Sequence, residues 1–257
     1  MKTTERVIPT LKNMKQVYEN YTEEDHLVWE ILFNRQINNL PMAATEAYLV
    51  GMEKVGFKNE VVPNFETTND ILKALTGWEL VAVEGIVDDE VFFELMSNRK
   101  FPATTWLRNM EELDYLEEPD MFHDVFAHVP LLANQQFVDF LQALSAIGHK
   151  HAGDAYAIEL LSRIYWFTVE FGLIRENEAL RIYGAGILSS AGETAYSLSS
   201  EPTHHEFDVD KILETPFEKD SFQTCYFIID SYQQLFDSIG EIQDKLNEKL
   251  KGKIMMN

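Results

Sequence analysis

The sequence predicts a mainly α fold: a single domain of packed helices with a few short β-strands over residues 21–257, behind a polar extension at 1–20. Three observations carry this. Apolar residues recur at helical spacing in one segment after another, between recognisable caps. The stretch from Ala155 to Ile174 is apolar nearly all round, as a buried helix would be. Strand-like runs are short, and no low-complexity linker or internal repeat divides the chain.

The elements follow in order. Thr22 can cap a helix whose first turn, Glu23-Glu24-Asp25, suits the positive N-terminal dipole. Val28, Ile31, Leu32 and Ile37 form its apolar stripe. Pro41 punctuates, and a second amphipathic helix through Ala44, Tyr48, Leu49 and Met52 ends at Gly56. A third starts at Thr67-Thr68-Asn69-Asp70, with Gly77 as its stop. Trp78 to Val83 reads as a short strand. Asp88-Asp89-Glu90 opens a helix carrying Phe92 and Phe93. Residues 101–109 look extended around Pro102. Phe137 to Ile147 is helical, as is Ala155 to Ile174. Gly184 and Gly186 mark a turn before Ser189 and Ser190, and Phe222 to Leu250 is helical again.

Composition narrows the function. In 257 residues, 46% apolar and 12% aromatic content is ample for one large core. A net charge of -22 makes nucleic acid and anionic membranes poor partners. Cys225, the single cysteine, sits in an apolar run and reads as an inert buried thiol. No apolar h-region follows Met1-Lys2-Thr3-Thr4, and no stretch reaches the ~18 apolar residues of a membrane span. A cytoplasmic setting is expected.

The chemistry concentrates in Phe122-His123-Asp124-Val125-Phe126-Ala127-His128. Two imidazoles with one carboxylate make the ligand set of a non-heme Fe(II) site with open positions. His123 and His128 are five apart, which on a regular helix turns the second ring about 140° from the first. The spacing therefore differs from the i, i+4 pair of metalloprotease helices. It requires irregular backbone, for which Pro119 and Pro130 give an opportunity. Glu170, lone in an apolar segment, is the candidate third ligand, since a buried charge needs a partner. Arg163 or Arg181 are the alternative partners. His151, His204 and His205 are competing ligands in polar contexts. Asp124 either serves the site or starts a helix.

Around these residues the chain resembles the aromatic amino acid hydroxylases, most closely the single-domain bacterial members that act on phenylalanine. The resemblance rests on four ordered blocks: Phe101 to Arg108, Leu113 to Asp124, Tyr165 to Leu173, and Arg181 to Ser190. Their order and spacing run from about residue 20 to the C-terminal helix. The chain departs at Ala127, where the family usually has glycine, at Ala191, where a larger side chain is common, and at Leu116, where animal members have threonine.

The resemblance implies the family's fold and a monooxygenase that converts L-phenylalanine to L-tyrosine with O2, opening phenylalanine catabolism. Its cofactors would be Fe(II), held by His123, His128 and Glu170, and a tetrahydropterin, either tetrahydrobiopterin or a bacterial equivalent. Arg108 would bind the substrate carboxylate; a surface ion pair with Glu111 or Glu112 is its plainer role. Trp166 would wall the substrate ring. Ser189 and Ser190 would serve the substrate or an iron ligand. Phe92, Tyr165 and Asp124 would lie at the pterin, and Asp120 would orient the ligand loop or pair with Arg108. Absence of a regulatory domain and of a long tetramerisation helix leads us to expect a monomer. The alternatives are tyrosine or tryptophan hydroxylation within the family, a Zn(II) hydrolase on the same ligands, and a degenerate binding protein.

Overall fold

The computed structural model describes residues 14–114, 116, 118–219 and 221–256, with side chains as far as residue 253. The first thirteen residues of the expected N-terminal extension lie outside the described residues.

Helix α1, Glu23–Ile37, opens with a capping box: the Asp25 amide donates to Thr22 Oγ1 at 3.2 Å and the Thr22 amide to Asp25 Oδ2 at 2.7 Å. The short α2, Leu40–Ala43, and α3, Glu46–Val55, follow, and Gly56 ends α3 in the left-handed region at φ 70°. Helix α4, Phe65–Leu75, starts two residues before the predicted Thr67 because Asn64 Oδ1 accepts the amides of Glu66 and Thr67. Asn69, expected at that helix start, instead exchanges two hydrogen bonds with the Leu80 backbone. It thereby ties α4 to β1, Glu79–Val83. Helix α5, Asp89–Ser97, then crosses over to β2, Lys100–Thr104, which pairs parallel with β1. The extended run predicted for 101–109 is a strand only as far as Thr104.

Beyond β2 come a π-helical turn over Phe122–Ala127, α6 at Val129–Leu132, α7 at Gln135–Lys150 and α8 at Ala155–Tyr165. The long helix expected from Ala155 to Ile174 is not continuous. It widens at Tyr165 into a second π turn, Trp166–Glu170, where the Phe171 amide reaches back five residues to the Trp166 carbonyl at 2.8 Å. Gly172 follows, and Leu173–Glu176 is strand β3. The burial is as expected; its cause is a sheet. Strand β3 turns through Asn177 and Glu178, both at positive φ, into β4, Ala179–Ile182.

Helices α9, Ala185–Leu188, and α10, Ala191–Ser197, lead to β5, Thr203–Glu206, and α11, Val209–Glu214. Cys225–Ile229, predicted helical, is strand β6 at the centre of a mixed sheet ordered β4-β3-β6-β5. Both of its faces are covered, so it shows no alternation that would distinguish it from a buried helix. The remaining helices are α12, Tyr232–Asp237, and α13, Ile239–Met256. The architecture is helical with a few short strands, as predicted.

The core is aromatic where it underlies the first π turn. The rings of Phe122 and Phe126 stack at 4.5 Å and 14°, and Trp29, Phe33 and Tyr48 surround them edge-on. Tyr48 also donates to the Phe126 carbonyl at 2.8 Å. Helices α1 and α3 thus hold the turn from below. On its far side Gly51 of α3 lies so close to α6 that a Cβ there would stand 2.0 Å from the Pro130 carbonyl oxygen. Ala127 is fully buried inside this packing. Among the described non-glycine residues only Arg99, Asn177 and Glu178 have positive φ, so the turn does not demand glycine at position 127. Ala127→Gly should therefore lower stability by about 0.5–1 kcal/mol through backbone entropy, measured by urea denaturation, and leave metal uptake unchanged.

Candidate metal centre

The irregular backbone required by the five-residue spacing is the first π turn. Its i→i+5 pattern sets residues five apart one above the other. His123 Nε2 and His128 Nε2 lie 3.3 Å apart, with ring planes at 79°. The second π turn delivers Glu170 to the same point: Oε1 is 3.2 Å from His128 Nε2 and Oε2 is 3.5 Å from His123 Nε2. These donor atoms lie within 4.8 Å of one another, and among the described residues no other such cluster occurs.

Hydrogen bonding turns the right atoms inward. Ser189 Oγ donates to the Ala185 carbonyl at 3.0 Å, so it accepts the Nδ1 proton of His123, also at 3.0 Å. That leaves the His123 Nε2 lone pair facing the cluster. Burial favours neutral His123, lowering its pKa, even though Glu170 acts against this. Burial alone would raise the Glu170 carboxyl, but the imidazoles of His128 and His123 and the Tyr165 hydroxyl outweigh it and hold the group down at about 2. The donor set is two imidazoles and one carboxylate, which fits a divalent ion with open positions.

The rival partners fall away. Arg163 is taken by the Leu213 carbonyl and Glu159, and Arg181 by the Met42 carbonyl. His151 ends α7. His204 and His205 stand on β5, occupied by the Ser197 carbonyl and the Lys211 ammonium respectively.

Two cavities meet at the cluster, of about 250 Å³ and about 550 Å³. Both are lined by His123, Glu170 and Trp166. Phe92, Tyr165 and Asp124 face the smaller one. Arg108, Ser189, Ser190, Leu116 and Ala191 face the larger one. Phe92 and Tyr165 meet edge to face at 5.2 Å. Asp124 is fixed in place by Thr104, whose amide and hydroxyl donate to Oδ2 at 2.8 and 2.9 Å. Burial pushes its carboxyl pKa up, against the pull of His123 and the Thr104 hydrogen bonds.

Arg108 is buried, and its partner is Asp120 rather than Glu111 or Glu112. Asp120 accepts Nε and Nη2 of Arg108, the Arg108 amide and the His123 amide, all between 2.8 and 3.1 Å. One fully buried carboxylate therefore pairs with the arginine and also anchors the turn that carries His123. Ser190 accepts the Glu193 amide as the cap of α10. Thr104 and Phe217 were not marked by the sequence. Phe217 stacks on Trp166 at 4.4 Å and 17°, yet it lies in an unpatterned segment with no signal of its own.

Comparison with known proteins places the chain in a family. Residues 6–254 match the biopterin-dependent aromatic amino acid hydroxylase family. The phenylalanine-4-hydroxylase of Ralstonia nicotianae is 50% identical over 226 residues, covering 88% of this chain and 72% of the relative. The phenylalanine hydroxylase of Chromobacterium violaceum, solved with iron(III) and oxidised 7,8-dihydrobiopterin, superposes with a TM-score of 0.89 at 45% identity, over 95% of this chain and 88% of the other. The same enzyme with iron and phenylalanine bound gives 0.88 at 43% identity, over 95% and 89%. With its helical fold, its His–His–Glu cluster and a match over nearly its whole length, the chain belongs to the biopterin-dependent aromatic amino acid hydroxylases.

Proposed function

We propose that the chain is a phenylalanine 4-monooxygenase that uses Fe(II), a tetrahydropterin and O2 to convert L-phenylalanine to L-tyrosine, at the opening of phenylalanine catabolism. The observation that carries this is the convergence of His123, His128 and Glu170 where the two cavities meet. In this reading the two Nε2 atoms and the Glu170 carboxylate hold the iron. When bound, iron and tetrahydropterin together supply the activation of O2, one atom of which enters the substrate ring.

The chain's own side chains position the reactants. Ser189 keeps the His123 proton on Nδ1. Arg108 has five N–H groups. Asp120 occupies two of its side-chain N–H groups, which leaves the remainder for the substrate carboxylate, and Arg108 lines the larger cavity. Asp120 thus limits Arg108 to its free edge while holding that edge still. Trp166 walls the substrate ring, and Ser190, used as a helix cap, contributes through the turn it stabilises. Phe92, Tyr165 and Asp124, which line the smaller cavity, would hold the pterin, the two rings by packing and the carboxylate as a hydrogen-bond acceptor. The apolar lining around the larger cavity, including Leu116 and Ala191, suits a phenylalanine ring.

We read the chain as a cytoplasmic monomer with one catalytic domain from residue 21 onward. Helix α13 buries Ile242 and Leu246 against its own core, and no described helix is long and apolar enough to cross a membrane. Light scattering at the mass of a dimer or tetramer would contradict the monomer.

The function is tested by anaerobic Fe(II) loading, then product analysis with phenylalanine, tyrosine, tryptophan and a synthetic tetrahydropterin. Tyrosine from phenylalanine is expected; a zinc-dependent hydrolase active without pterin would overturn the reading. Ser189→Ala should weaken Fe(II) binding about 10–100-fold, read by anaerobic metal titration. Arg108→Lys should raise KM for phenylalanine by at least about tenfold, with iron content unchanged, because charge-assisted hydrogen bonds are worth about 1.5–3 kcal/mol.

A further inference from the structure

Trp166 is part of the wall common to both cavities, so the position of its ring decides where a substrate ring lies relative to the metal cluster. Its ring neighbours are Phe217, stacked at 4.4 Å, and Phe171, tilted at 35° and 4.7 Å away. Stacking restrains the tilt of an indole but leaves it free to slide and to turn within its own plane. One directional contact removes that freedom: Trp166 Nε1 donates to Gln223 Oε1 at 3.0 Å.

We propose that Gln223 is a positioning residue for the hydroxylation, acting through the Trp166 indole N–H. The inference rests on the hydroxylase reading above.

Gln223 is suited to this role because its own amide has one allowed orientation. It is 4% exposed, and its Nε2 donates to the Glu218 carbonyl at 2.8 Å and the Ser221 carbonyl at 3.2 Å. Flipping the amide would set oxygen against two carbonyls and NH2 against the indole N–H. Oε1 must therefore face Trp166. The Gln223 backbone is held as well, since its amide donates to Glu193 Oε1 at 3.3 Å. Glu193, itself buried, also accepts the Tyr226 hydroxyl of β6 at 2.6 Å. The bonds to Glu218 and Ser221 fold the segment between α11 and β6, which carries Phe217. The same side chain thus orients the indole and shapes the segment that stacks on it. Glu170, four positions further along the second π turn, makes none of these contacts, so the wall can shift without moving the ligand.

The test uses the Fe(II)-loaded enzyme with a synthetic tetrahydropterin and L-phenylalanine. Gln223→Leu should raise KM about tenfold, leave kcat within about threefold, and lower tyrosine formed per pterin oxidised by a third or more, with iron per chain unchanged. In a Trp166→Phe background, which lacks the N–H, Gln223→Leu should add less than a twofold change. In the metal-free protein, the near-UV circular dichroism contributed by Trp166, taken as wild type minus Trp166→Phe, should largely vanish in Gln223→Leu. Gln223→Met, closer in shape, replaces the leucine variant if that one does not fold. The inference is overturned if the Gln223 variants keep wild-type KM and tyrosine yield, or if their effect is undiminished in the Trp166→Phe background. A wild-type enzyme that makes no tyrosine would overturn the hydroxylase reading itself, and this inference with it.

Discussion

The site depends on hydrogen bonding shifted by one residue at two places in the backbone. In each π turn an amide reaches back five residues rather than four, and the turn widens. The first widening brings His123 beside His128, ring edge to ring face; the second swings Glu170 away from the line of α8 and toward them. A wider turn is a poorer helix, and it persists only where its surroundings over-determine it. Here the surroundings are aromatic. Phe122 and Phe126 stack within the first turn, the rings of Trp29, Phe33 and Tyr48 enclose them, and the Tyr48 hydroxyl binds a carbonyl of the turn. Core packing by α1 and α3 is thus part of the metal site, although neither helix supplies a ligand.

Charge is organised by the same economy. Asp120 and Glu170 are both carboxylates in the interior, and each is compensated differently. Asp120 gathers four N–H groups from Arg108 and His123 and becomes a structural anion. Glu170 faces the imidazoles of His123 and His128 and the Tyr165 hydroxyl, which suits it to meet a cation. Arg108 stands between the two roles, partly neutralised on one edge and available on the other.

Much of this was legible in the sequence, for identifiable reasons. Thr22 with Asp25, Gly56 and Gly77 are local signals, and local signals survive without tertiary knowledge. The irregular backbone between the histidines followed from angular arithmetic alone. What escaped was decided by distant parts of the chain. Cys225–Ile229 became a central strand because β3 and β5 flank it, and β3 itself lay inside what read as a helix. Asn64 rather than Thr67 caps α4, and Asn69 is engaged by Leu80, 11 positions on. The link from Trp166 to Gln223 spans 57 positions and involves a glutamine in a segment read as helix, so no periodicity could have marked it.

The ligand cluster also bears on where metal identity is decided. Two imidazoles and a carboxylate are borderline donors, and for such sets affinity rises along the first-row series past iron, toward copper. Ser189, Asp120 and the aromatic bed hold these donors in one geometry, and geometry of this kind aids any ion of similar size. Donor identity alone therefore does not rank iron above zinc or copper. Which ion fills the site in a cell is a question of supply: the free concentrations that metal homeostasis maintains when the newly folded chain first meets its ion.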